Sequence, residues 1–65
     1  MTGQEFKALR QAAGYTQQAL GDMTGAGRRA IAKYEAGDID LGKIEVRTAI
    51  KLAKALNVSI EAFED

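Results

Sequence analysis

Two adjacent arginines, Arg28 and Arg29, with Lys33 beyond them, and two adjacent glutamines, Gln17 and Gln18, are the residues of this chain best suited to polar recognition. An arginine fork donates in parallel to two acceptors, which matches phosphate oxygens and the O6/N7 edge of guanine. Lys33 follows the arginines by four to five positions, so on a helix it lies on nearly the same face, one turn along. Gln17 and Gln18 follow Thr16 at a helix start, where side-chain and terminal backbone N–H groups donate to anions. Arg28 and Arg29 also open a helix-like segment, and there the positive end of the macrodipole disfavours cations. An external anion, a phosphate or a base edge, would compensate; the plain alternative is a solubilising surface pair.

Other chemistry is excluded by composition. The chain has no cysteine, histidine or proline, and Ser59 is its one serine, so nucleophile–base pairs and histidine metal ligands do not exist. Asp38-Ile39-Asp40 lacks the twelve-residue spacing and closing glutamate of a calcium loop. Gly25-Ala26-Gly27 lacks the following Gly-Lys-Ser/Thr of a phosphate loop. No cofactor or metal is expected. A chain of 65 residues makes one domain at most and buries only about 60% of its unfolded surface, which is too little to wall off a sizeable substrate cavity, so an enzyme is not expected. Hydrophobic residues at 46% and charged ones at 28% fit a folded globule. The apolar runs are far below the ~20 residues of a membrane span, and Met1-Thr2-Gly3-Gln4-Glu5 lacks the basic start of a signal peptide. A cytoplasmic protein is expected.

The net charge of zero hides an asymmetry. Residues 1–36 carry five cations, Lys7, Arg10, Arg28, Arg29 and Lys33, against three carboxylates, Glu5, Asp22 and Glu35. The remainder carries four, Lys43, Arg47, Lys51 and Lys54, against six, Asp38, Asp40, Glu45, Glu61, Glu64 and Asp65. An anion-binding face is therefore expected on the N-terminal half.

These side chains need helices to position them. The spacing predicts a first amphipathic helix over about 2–12, with Phe6, Leu9 and Ala13 inward and Thr2 as N-cap. A second, about 17–24, follows the N-cap Thr16 and places Ala19, Leu20 and Met23 on one face. A third, about 28–35, turns Ala30, Ile31 and Tyr34 inward, and Tyr15 reads as core with Tyr34. Gly14, Gly25 and Gly37 punctuate the segment ends. Residues 38–45 alternate polar and apolar, but a single strand has no partner, so an ordered loop is expected. The strongest helical run, about 46–56, carries Val46, Ala49, Ile50, Leu52, Ala53 and Leu56, with Asn57 to close it. Ser59 caps a short last helix, about 60–64, that brings Ile60 and Phe63 to the core.

Thr16-Gln17-Gln18-Ala19-Leu20, Gly25, Ile31 and Glu35-Ala36-Gly37, in one ungapped frame, with Leu52-Ala53-Lys54-Ala55-Leu56-Asn57-Val58-Ser59 beyond them, resemble over nearly the whole chain the phage repressor and Cro family of XRE-type helix-turn-helix transcriptional regulators. The resemblance implies an all-α, compact five-helix fold, with the helix-turn-helix at about 16–36 and a recognition helix at about 28–35 entering the major groove of double-stranded DNA. By position, Gln17 would contact a phosphate, with Gln18 beside it, and Gly27, Arg28, Arg29, Ala32 and Lys33 occupy the DNA-facing positions. Arg10 and Glu35 match a structural ion pair between the first and third helices. Lys43 and Arg47 flank the start of the fourth helix, where the family touches the DNA backbone, and a solvated role stands beside that reading. Three positions depart from the pattern: Thr24 and Ala26 replace large apolar residues, and Gly27 replaces a serine or threonine N-cap. The segment after Gly37 is also about three residues longer than usual.

The resemblance implies a regulator, a phage-type repressor or an antitoxin-like relative, that binds a palindromic operator as a homodimer and associates with the nucleoid when DNA-bound. No effector domain is expected within these residues, and the dimer is expected to be weak in solution, anchored by Ile60 or Phe63, because the acidic half would otherwise repel itself. The neutral charge and altered turn motivate an alternative: a protein-interaction module with this fold that has lost DNA binding, its partner another protein.

Overall fold

The computed structural model describes residues 1–64. Four α-helices follow one another: α1 Gly3–Ala12, α2 Gln17–Thr24, α3 Arg28–Ala36 and α4 Val46–Leu56, with short 3-10 turns at Leu41–Lys43 and Ile60–Phe63. Among the described residues there is no strand.

Local signals set the helix ends. Thr2 and Glu5 form a reciprocal capping box, the Thr2 hydroxyl accepting from the Glu5 N–H at 3.1 Å and Glu5 Oε1 accepting from the Thr2 N–H at 2.8 Å, which satisfies two otherwise orphaned donors. Thr16 caps α2 by accepting from the Ala19 N–H at 3.0 Å, and Glu45 caps α4 through the Thr48 N–H at 3.1 Å. Asn57, at φ 58° and ψ 44°, closes α4 in the left-handed region, which asparagine adopts more readily than most residues.

The core gathers around Phe6, Leu20, Ile31 and Leu52, all fully buried, together with Tyr34, Leu41, Ala49, Ala53, Leu56 and Phe63. Phe6 is its hinge: the Tyr34 ring meets it edge-on at 5.7 Å and the Phe63 ring lies 6.3 Å away.

Several expected inward positions lie outside. α2 buries Leu20, Gly21 and Thr24, whereas Ala19 and Met23 are exposed. Gly21 governs this choice: an added Cβ would lie 2.5 Å from the Gly27 carbonyl carbon and 2.6 Å from the Arg28 nitrogen, so α2 presses its bare backbone onto the start of α3. Ala13 is exposed too, Tyr15 is only half-buried, and on α4 Val46 and Ile50 face outward.

The expected fifth helix is instead the 3-10 turn Ile60–Phe63, held by i→i+3 bonds from Ala62 N–H to the Ser59 carbonyl and from Glu64 N–H to the Glu61 carbonyl. Four residues suffice to bury Phe63 but not to propagate α-helical bonding. The 38–45 segment is an ordered connection containing a 3-10 turn of its own. Asp40 Oδ1 accepts from the Gly42 N–H at 2.9 Å, and Leu41 is driven into the core.

The connection between α2 and α3 replaces apolar packing with hydrogen bonds. Thr24 is buried and its hydroxyl donates to the Leu20 carbonyl at 2.6 Å, while the Gly27 N–H donates to the Gly21 carbonyl at 3.1 Å. Gly27 sits at φ 88° and ψ 151°, a backbone region essentially restricted to glycine. The missing serine or threonine cap is thus a consequence of the turn's geometry.

A Gly27→Ser variant, which elsewhere would gain a cap hydrogen bond, is therefore expected to lose about 1–3 kcal/mol of stability. Urea denaturation of the two proteins checks this, and an equal or higher midpoint for the serine variant would contradict the assigned turn.

Candidate nucleic-acid interface

The N-terminal ends of α2 and α3 carry most of the residues singled out for recognition. Arg28 and Arg29 are the first two residues of α3, both exposed, and Lys33 is exposed one turn on. No side chain caps the α3 amides. Among the described residues, no carboxylate lies within ion-pair distance of these three cations. Uncapped amides and two guanidinium groups thus concentrate positive potential at one helix end. Ala32 is half-buried, as is Gly27, so any contribution of these two to a ligand is through close backbone or methyl approach.

Gln17, the first residue of α2, is half-buried and already engaged: its Nε2 donates to Glu35 Oε1 at 3.1 Å. Gln18 is exposed and donates to Asp22 Oδ1, one turn along the same helix, at 2.8 Å. Lys43 ends the first 3-10 turn and Arg47 is the second residue of α4. Both are exposed and both stand on elements outside the α2–α3 unit.

Beneath this surface lies the Arg10–Glu35 pair. Arg10 Nε donates to Glu35 Oε2 at 2.6 Å and Nη2 to Oε1 at 3.2 Å, a two-pronged contact between side chains only 9% and 6% exposed. The remaining prong, Nη1, donates to the Tyr15 carbonyl at 2.8 Å. One guanidinium on α1 therefore fixes α3 through Glu35 and the approach to α2 through Tyr15. Burial pushes the Glu35 carboxyl upward, but hydrogen bonds from Arg10 and Gln17 and the charges of Arg10 and Lys7 outweigh it and hold it below the ordinary carboxylate range.

Two elements of this arrangement escape a reading of residue types. Gly21 carries no side chain, yet it sets the distance between α2 and α3; a glycine inside a helix with no turn to make was the available signal. The Gln17–Glu35 bond joins residues 18 positions apart and has no local signature.

The helix-turn-helix family model matches residues 6–63, which includes all four helices except the first turn of α1. Comparison with curated proteins and with solved structures returned no match. No helix of the described residues is long and apolar enough to cross a membrane.

Removing the Glu35 charge leaves a buried guanidinium unpaired, so Glu35→Leu is expected to lower stability by about 3–5 kcal/mol. Because the folded carboxyl titrates below its unfolded value of about 4.3, its contribution is complete above that pH and is lost as pH falls through the lower folded value. Denaturation midpoints measured across the acid range check this. A stability that falls no further in the wild type than in Glu35→Leu on acidification would contradict it.

Proposed function

The chain belongs to the XRE-type helix-turn-helix family of DNA-binding regulators, and on that premise we propose that it is a sequence-specific regulator of transcription, of the phage-repressor type, which places α3 in the major groove of its operator. The observation that carries this reading is the pair of exposed, unpaired arginines at the uncapped start of α3. Base edges encode sequence and phosphates do not, so arginines on a groove-entering helix read the site while the start of α2 sets its register. Lys33 extends the same face toward a base or phosphate, and Lys43 and Arg47 supply further backbone contacts.

A single short recognition helix covers few base pairs, which favours two copies on a palindrome with half-sites about 34–36 Å apart. The self-contact we favour is the apolar concavity of about 210 Å³ lined by Ile44, Val46 and Ile60, where Val46 is 60% exposed. Phe63 is excluded as its anchor because it is 2% exposed and committed to the core. So small a contact supports a weak dimer that DNA completes. The exposed Met23, Val46 and Ile50 favour one second reading, a protein-binding module without DNA affinity.

Salt titration of duplex binding separates the two, since phosphate neutralisation makes log K fall linearly with log salt. On a site selected from a random pool, Arg28→Ala and Arg29→Ala are each expected to cost about 1–3 kcal/mol and to relax preference at one base pair. Intact operator affinity in both variants would contradict the recognition-helix assignment, and no binding even at low salt would favour the protein-binding module. Sedimentation equilibrium with and without a palindromic duplex is expected to show a weak dimer alone and two proteins per duplex at saturation; one protein per duplex would overturn the paired half-site arrangement.

A further inference from the structure

The Gln17 side chain is held in one orientation before any ligand arrives. A carboxylate only accepts hydrogen bonds, so the amide nitrogen of Gln17, and not its oxygen, faces Glu35 Oε1 at 3.1 Å. The same oxygen accepts from Arg10 Nη2 at 3.2 Å, and the other carboxylate oxygen accepts from Arg10 Nε at 2.6 Å. Glu35 cannot swing away without stranding a guanidinium that is itself buried. Nor can the backbone leading into α2 drift, because Arg10 Nη1 holds the Tyr15 carbonyl immediately before the Thr16 cap. One amide proton of Gln17 is consumed and the second is fixed in the amide plane. Gln18 offers the contrast, its amide held only by the exposed Asp22.

We propose that Glu35 is a positioning residue for DNA: clamped by Arg10, its carboxylate orients the Gln17 amide so that the remaining N–H meets a backbone phosphate at the start of α2. This rests on the reading of α2–α3 as a DNA-binding unit. Rotamer ordering that a free glutamine would undergo on binding is completed on folding instead, which strengthens the contact without adding one. The ion pair between α1 and α3 thereby sets an affinity as well as a fold.

A double-mutant cycle with Gln17→Ala and Glu35→Asp tests this. Aspartate keeps the negative charge beside Arg10 but withdraws it by one methylene from Gln17. Binding is measured to a random-sequence duplex at low salt, at a temperature where all four proteins are folded. Phosphate contacts carry no sequence preference, so such a duplex suffices. Glu35→Asp is expected to weaken the wild type about three- to tenfold, the scale of one hydrogen bond, and to weaken Gln17→Ala less than about twofold. An equal loss in both backgrounds, no loss, or tighter binding by Glu35→Asp overturns the positioning role while leaving DNA binding in place. Absence of binding by the wild type overturns the parent reading and this one together. If Glu35→Asp does not fold, the wild type decides by nuclear magnetic resonance: duplex addition is expected to shift one Gln17 side-chain amide proton, and two unmoved protons overturn the proposal.

Discussion

The structure depends on one buried charge pair. Arg10 spends its guanidinium on Glu35 and on the Tyr15 carbonyl, so a single side chain from α1 holds α3 and the turn before α2, and Glu35 in turn holds Gln17 of α2. Two charges removed from water are stabilising only when both are paired and their remaining donors and acceptors are satisfied, and among the described residues no buried side-chain polar atom lacks a partner. Removing either partner would leave the other charge buried and unpaired, so the pair holds α3 against α1 at this spacing.

A second constraint acts where α2 meets α3. Gly21 lets the helices touch backbone to backbone, and the same contact brings the Gly27 N–H to the Gly21 carbonyl. The chain then enters α3 through a conformation open to glycine. As a result α3 begins with bare amides next to Arg28 and Arg29, a local arrangement that is unfavourable for the free protein and suited to an anionic partner. The positive end of the molecule is produced by the turn, not by the overall charge, which is zero.

Much of this was legible in the sequence where local rules apply. Thr2, Thr16 and Asn57 mark helix boundaries because capping is decided within a few residues, and α2 and α4 occupy the expected ranges. The Arg10–Glu35 pair followed from family resemblance, since its partners lie 25 positions apart and no periodicity links them. What stayed hidden is tertiary. Gly27 reads as a weakened cap until its φ is known, Met23 reads as core until the tight α2–α3 approach turns another stripe of α2 inward, and Ile50 reads as core although α4 buries Ala49, Leu52, Ala53 and Leu56 instead. The last segment reads as a helix from Ser59 and its spacing, yet burial of Phe63 needs only a 3-10 turn. Gln17 reads as a free amide because its bond to Glu35 crosses from one helix to another.

DNA is proposed to meet this protein at the starts of α2 and α3. Backbone amide resonances followed during titration with a palindromic duplex at low salt test it residue by residue. The largest shifts are expected over Gly27–Lys33 and at Gln17, with the faces around Met23 and Ile50 unmoved. Shifts confined to those apolar faces, or none at all, would contradict it.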